Sequence, residues 1–168
     1  MILVTHGIVG AAVGRLFPKH PIVALLAGIV SHFLIDAIPH WHYKLFSAER
    51  HLENPIQDDL KIGKSFLVDL VSIGTDFAAG IAFSFLIFPS AGGFWHPSVA
   101  VFWGAIGGIL PDPIQFLYMK WRHEPLRSLQ RFHLWIHSKL DIDKKYFVGI
   151  VSQVLFIAAV TAISKLIL

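Results

Sequence analysis

The sequence predicts an all-α integral membrane protein, a helical bundle of four to five transmembrane helices with one amphipathic helix at the membrane interface. Three observations carry that expectation. Of 168 residues, 55% are hydrophobic and only 15% charged, against about 25% charged in an ordinary soluble domain. Polar side chains are therefore too few to cover a water-exposed globule, and the mean hydropathy of +0.63 agrees. The apolar residues also gather into runs long enough to cross a hydrocarbon core of about 30 Å. Finally, Lys and Arg are divided unevenly among the connections between those runs, the asymmetry that orients membrane helices.

Taken in order, the first apolar segment (2–17) is short for a span and is expected to be tilted or re-entrant. It lacks the basic region of a signal peptide and carries His6 inside its apolar run, so it is expected to remain as a helix. Gly7, Gly10 and Gly14 would let it pack closely on a neighbour. The next helices are expected at 21–38, 62–88 and 97–118, the last of these with Gly104 and Gly108 in small-xxx-small spacing. Residues 146–168 form the plainest span. The length suits one domain over 1–168. The absence of cysteine excludes a disulfide framework and a thiolate metal site.

The connection 119–145 holds seven basic residues, whereas 89–97 holds none and contributes only His96. The positive-inside rule then places 119–145 in the cytoplasm, giving a multi-pass protein of the cell (inner) membrane. Arg15 and Lys19, between the first two helices, run against this orientation. Within 119–145, Leu126, Leu129, Phe132, His133, Ile136 and Leu140 recur at helical spacing, as in an amphipathic helix lying on the bilayer. There is also an internal echo, since Gly28 precedes Asp36 by the same interval as Gly104 precedes Asp112.

Ionisable residues inside spans are costly and so mark candidate sites. His32, Asp36 and His40 recur at intervals of four, with His42 just beyond, and an imidazole and a carboxylate one helical turn apart can grip one ion or bridge two. Ser65, Asp69, Ser72 and Asp76 form a polar stripe expected to face the bundle interior, with Asp69 the better ligand candidate. Asp112, between Pro111 and Pro113, reads either as a helix N-cap or as a cation ligand beside opened backbone. His133 and His137 stand one turn apart, a familiar zinc spacing. On the expected topology His6, His32, Asp36, His40, His42, Asp69, Asp112, His133 and His137 all fall at one depth, so a shared metal site at the cytoplasmic face is expected. Nitrogen and oxygen ligands suit zinc, or else manganese or iron. Arg122, Arg127 and Arg131 nearby would suit an anionic lipid phosphate.

Two patterns resemble known families. The segment Thr5, His6 and Gly10, the glycine-rich helix closing in Leu110–Asp112, and the late pair ending at His137 and Ser138 are similar to membrane-bound metal-dependent hydrolases. The motif His32, Phe33, Asp36 and His42, with His133 and His137, resembles the zinc-dependent phospholipase C and single-strand nuclease superfamily. The resemblance implies a zinc phosphoesterase with two or three ions. A metal-activated water would attack a lipid-linked or phospholipid-type substrate, with Asp36 and Asp112 as catalytic carboxylates. No nucleic-acid partner is expected, and oligomeric state is left open. A metal-ion or proton transporter and a scaffold with a structural metal are the alternatives.

Overall fold

The computed structural model describes residues 1–90, 98–140 and 144–167; His96 lies outside them. The described residues form α1 (Leu3–Gly14), α2 (Pro21–Asp36), α3 (Lys64–Ile87), α4 (Val99–Ile109), α5 (Pro111–Lys120), α6 (Leu126–Ile136) and α7 (Tyr146–Ile167). The connection between α2 and α3 is closed by a two-residue antiparallel pair, β1 (Ala48–Glu49) on β2 (Asp59–Leu60), with Ala48 opposite Leu60.

Two helices are long and apolar enough to cross a membrane. At 1.5 Å per residue, the 24 residues of α3 and the 22 of α7 reach about 36 and 33 Å. The expected helix at 97–118 is broken: Pro111 lacks the N–H that would continue the ladder, and α4 and α5 meet at 42°. Counted together they make a third candidate span. The expectation of four to five spans needs α1 and α2 as well, and these fall short. With 12 and 16 residues, they reach only about 18 and 24 Å, because α2 stops at Asp36, ahead of Pro39.

Glycines set how the helices meet. A Cβ on Gly10 would lie 2.9 Å from Gly108 Cα, and one on Gly14 would lie 2.7 Å from Gly104 Cα. A Cβ on Gly28 would lie 2.9 Å from the Gly108 nitrogen. Backbones at this distance exclude any side chain, which is the physical content of the small-xxx-small spacing. The pairings also give direction. Rising numbers in α1 meet falling numbers in α4, so these run antiparallel, whereas Leu3 meets Asp76 and Gly7 meets Gly80, so α1 and α3 run parallel. Thr5 meets Gln153 and Ala12 meets Ser164, placing α7 parallel to α1 as well. Met1 meets Asp36 and His6 meets His32, so α2 runs antiparallel to α1; α1 to α4 therefore alternate in direction, with α1 touching α2, α3, α4 and α7.

Arg15, which runs against the charge rule, has a structural use. Its guanidinium donates to the Ser164 carbonyl at 3.5 Å and to Ser164 Oγ at 3.4 Å, and it lies 5.1 Å from the Phe88 ring centre. It joins the far ends of α1, α3 and α7.

Candidate metal centre

Alternation of direction brings the start of α1, the end of α2 and the α4–α5 break to one end of the molecule, and α6 folds across them. Asp36, the last residue of α2, sits at the centre of what gathers there. Its Oδ2 lies 2.8 Å from His133 Nε2 and 3.1 Å from His32 Nε2. Its Oδ1 lies 3.2 Å from His6 Nε2 and 3.6 Å from His40 Nε2. His32 is held from behind by a 2.8 Å hydrogen bond between Nδ1 and the Gly108 carbonyl, which fixes the ring and leaves Nε2 turned inward. His6 stacks on His32 with ring centres 4.1 Å apart.

His32, Asp36, Asp112 and His133 each offer one ligand atom, all within 4.8 Å of one another. Asp112 Oδ1 closes the group at 3.7 Å from His32 Nε2 and 3.9 Å from His133 Nε2. A tetrahedral ion with bonds near 2.0–2.1 Å sets neighbouring ligand atoms about 3.3 Å apart. The observed separations of 2.8, 3.1, 3.7 and 3.9 Å bracket that value. Burial supplies a second test of fit. Both His6 nitrogens and His32 Nε2 are buried without a hydrogen-bond partner among the described residues, although each Nε2 lies near an Asp36 oxygen. Orphaned buried nitrogens are costly, and a cation held by His32 Nε2 would remove that atom's share; His6 stands beside the group and in neither set of ligand atoms. These groups can hold a metal ion.

A second group lies alongside. His40, His42 and His137 offer nitrogens within 4.8 Å of one another, and His40 Nε2 is 2.8 Å from His42 Nε2. Burial pushes the His40 and His42 imidazoles down to about 3, so both are neutral at pH 7 and present lone pairs. The His133/His137 pair does not grip one ion. Helix α6 ends at Ile136 and His137 is already extended, so His133 joins the first group and His137 the second. Asp36 Oδ1, facing His40, links the two.

Other expected residues are placed elsewhere. Asp69 accepts from the amides of Phe46 and Ser47 at 3.0 and 2.7 Å and from Ser47 Oγ at 2.6 Å. It clasps the α2–α3 connection and stands in neither group. Asp76 accepts from the amides of Leu3 and Val4 at 2.7 and 3.0 Å, capping α1 with a carboxylate from another helix. The stripe on α3 is thus no bundle-facing line, since Ser65 and Ser72 are exposed. Arg122 donates to the Gln57 and Asp58 carbonyls at 3.1 and 3.2 Å, holding the connection rather than flanking the site.

Three glutamines that sequence reasoning missed serve the centre. Gln130 Nε2 donates to Gln115 Oε1 at 3.2 Å, and Gln115 Nε2 donates to Asp112 Oδ1 at 3.0 Å. Gln153, inside α7, accepts from Ile2 N and Thr5 Oγ1 and donates to the Trp41 carbonyl. An amide inside so apolar a helix was the available signal. No protein-family model, curated protein or solved structure matches this chain, so the chemistry of the site is read from its own residues.

Proposed function

We propose that the protein is a membrane-bound metal-dependent hydrolase of phosphoester bonds, acting on lipid-linked or phospholipid-type substrates with two zinc ions. Manganese or iron would suit the same nitrogen and oxygen donors. One observation carries the reading: a single buried carboxylate, Asp36, stands between two groups of imidazoles whose nitrogens face inward. When bound, such ions supply polarisation of a phosphoryl oxygen and lower the pKa of a water at an open position. The chain's own part is to hold and orient. Asp36, His32 and His133 would hold one ion, and His40, His42 and His137 the other, with Asp36 standing between the two groups. Asp112 is 28% exposed, against 0% for His32, 2% for Asp36 and 3% for His133. Left off the ion, it would keep one position open for water and could take the proton from it. Lys61 just before α3, Lys64 at its start and Lys120 at the end of α5 support a cytoplasmic position for that side of the protein.

A transport path would need ligands along the outer half of the spans, and Asp76 is already committed to capping α1. Metal analysis of purified protein, with hydrolysis of a chromogenic phosphodiester, tests the proposal. Stoichiometric zinc in the wild type, lost in Asp36→Ala and His133→Ala together with turnover, is the expected result. Metal content unaffected by either substitution would overturn it.

A further inference from the structure

A groove of about 440 Å³ runs between α1 and α3 beside the metal centre, within the range of ligand sites. Ile2 and Val4 form one wall, Ser72, Thr75 and Asp76 the other, and Trp41, between His40 and His42, closes one end. Most polar groups lining it are already committed, the exception being the Trp41 indole Nε1, which is buried without a partner among the described residues. Ser72 Oγ donates to the Val68 carbonyl at 3.1 Å, and Thr75 Oγ1 to the Ser72 carbonyl at 2.8 Å. Both Asp76 oxygens are taken by α1 amides, and the Tyr43 hydroxyl bonds to Asp76. What faces an occupant is therefore mostly methyl, methylene and ring surface, with the Trp41 indole N–H the one donor left over.

Depth decides what that occupant is. Ser72 to Asp76 stand eight to twelve residues into α3, about 12–18 Å from its Lys64 end. That lies well inside a core about 30 Å thick. Leu67, Val68, Leu70 and Val71 on the same helix are more than half exposed, as befits a surface that meets hydrocarbon. Ser72 in the groove wall stands one turn from Val68 on this exposed face. The groove's inner end adjoins residues next in sequence to His40 and His42. We propose that the groove seats a hydrocarbon chain of the substrate, so that a long-chain phospholipid reaches the metal centre laterally from the membrane. The phosphate end of this inference rests on the hydrolase reading; the chain-binding groove does not.

Thr75→Trp fills the groove at an exposed position whose hydroxyl bonds only within its own helix turn, and Ser72→Leu serves as a second filler. With purified protein in micelles, each is expected to raise KM for a long-chain phospholipid at least tenfold. Turnover of a short water-soluble nitrophenyl phosphodiester should stay within twofold. Equal effects on both substrates, or none on either, would overturn the proposal. Photo-crosslinking with a phospholipid carrying a diazirine in its acyl chain reads the groove without turnover. Label on peptides covering 72–79 in the wild type, lost in Thr75→Trp, supports the groove even if no ester is hydrolysed, in which case the hydrolase reading alone falls. Label unchanged by the substitution refutes the groove.

Discussion

Glycine to alanine is the same chemical change at Gly104 and Gly74, yet the structure gives it opposite signs. At Gly104 the added methyl would lie 2.8 Å from Gly14 Cα and closer still to the Gly10 carbonyl oxygen. Ordinary contact begins at 3.4 Å, so α1 and α4 must part by roughly 0.6 Å at Gly14 and further at the Gly10 carbonyl, enough to forfeit a quarter to a half of the dispersion attraction across that seam. Overpacking of this kind costs about 1–3 kcal/mol, offset in part by the ~1 kcal/mol that alanine gains over glycine in a helix. At Gly74 a Cβ meets nothing within 4 Å, so only the gain remains. Unfolding in detergent micelles, followed by near-ultraviolet circular dichroism, should show Gly104→Ala destabilised by about 1–2 kcal/mol and Gly74→Ala stabilised by up to ~1 kcal/mol. Because His6 rides on α1 and stacks on His32, Gly104→Ala should also hold metal less tightly. If both variants shift in the same direction, the backbone contact inferred between α1 and α4 is absent.

Asp36→Asn should leave less than about a tenth of the bound metal, since it removes the charge shared by both groups. Asp69→Asn should leave metal content unchanged while lowering stability by about 1–3 kcal/mol, through the lost bonds to Phe46 and Ser47; metal loss in this variant would return Asp69 to the ligand set. Gln115→Met keeps side-chain length but removes the donor to Asp112. It should weaken cobalt binding, followed by its visible spectrum, by about 10–100-fold, with the metal-free unfolding midpoint unmoved. The hydrogen bond from Lys120 holds the Asp59 carboxyl below its usual range. Asp59 therefore contributes stability above about pH 4 that is lost as pH falls further. At one-third exposure the pair is worth no more than about 1 kcal/mol, so wild type and Asp59→Asn should differ by that much at pH 7 and converge as pH falls through the lowered Asp59 pKa.

Membrane character and the residues of the centre were legible in the sequence because both depend on local quantities, hydrophobic run length and ligand-type side chains at helical intervals. His32 and Asp36 lie on one α2 face, and their contact at 3.1 Å follows directly from the interval of four. Spacing fails where a helix ends. The same interval separates His133 from His137, but α6 stops between them and sends each to a different group. The α3 stripe misled for another reason. Periodicity reveals which residues share a face but not what covers it, and a chain loop covers Asp69 while a helix terminus covers Asp76. The glutamines went unread because an amide carries no charge to flag it. Only the fold shows that Gln115 and Gln130 form a chain ending on Asp112.

The matched intervals from Gly28 to Asp36 and from Gly104 to Asp112 acquire a geometric meaning once helix directions are known. Both α2 and α4 run antiparallel to α1, hence parallel to each other, and they touch where Gly28 meets the Gly104–Gly108 backbone. From a common crossing, parallel helices carry residues eight positions on by the same distance, about 12 Å. Asp36 and Asp112 accordingly arrive at one level, 3.1 and 3.7 Å from the same His32 nitrogen. The glycines set the crossing and the equal intervals set the meeting point. The break at Pro111 then starts a fresh helix at the centre, with Asp112 in its first turn, where the helix dipole favours a carboxylate. Descent by duplication is unnecessary to explain the echo, because any pair of parallel helices bringing two carboxylates to one level from one glycine crossing needs intervals this closely matched.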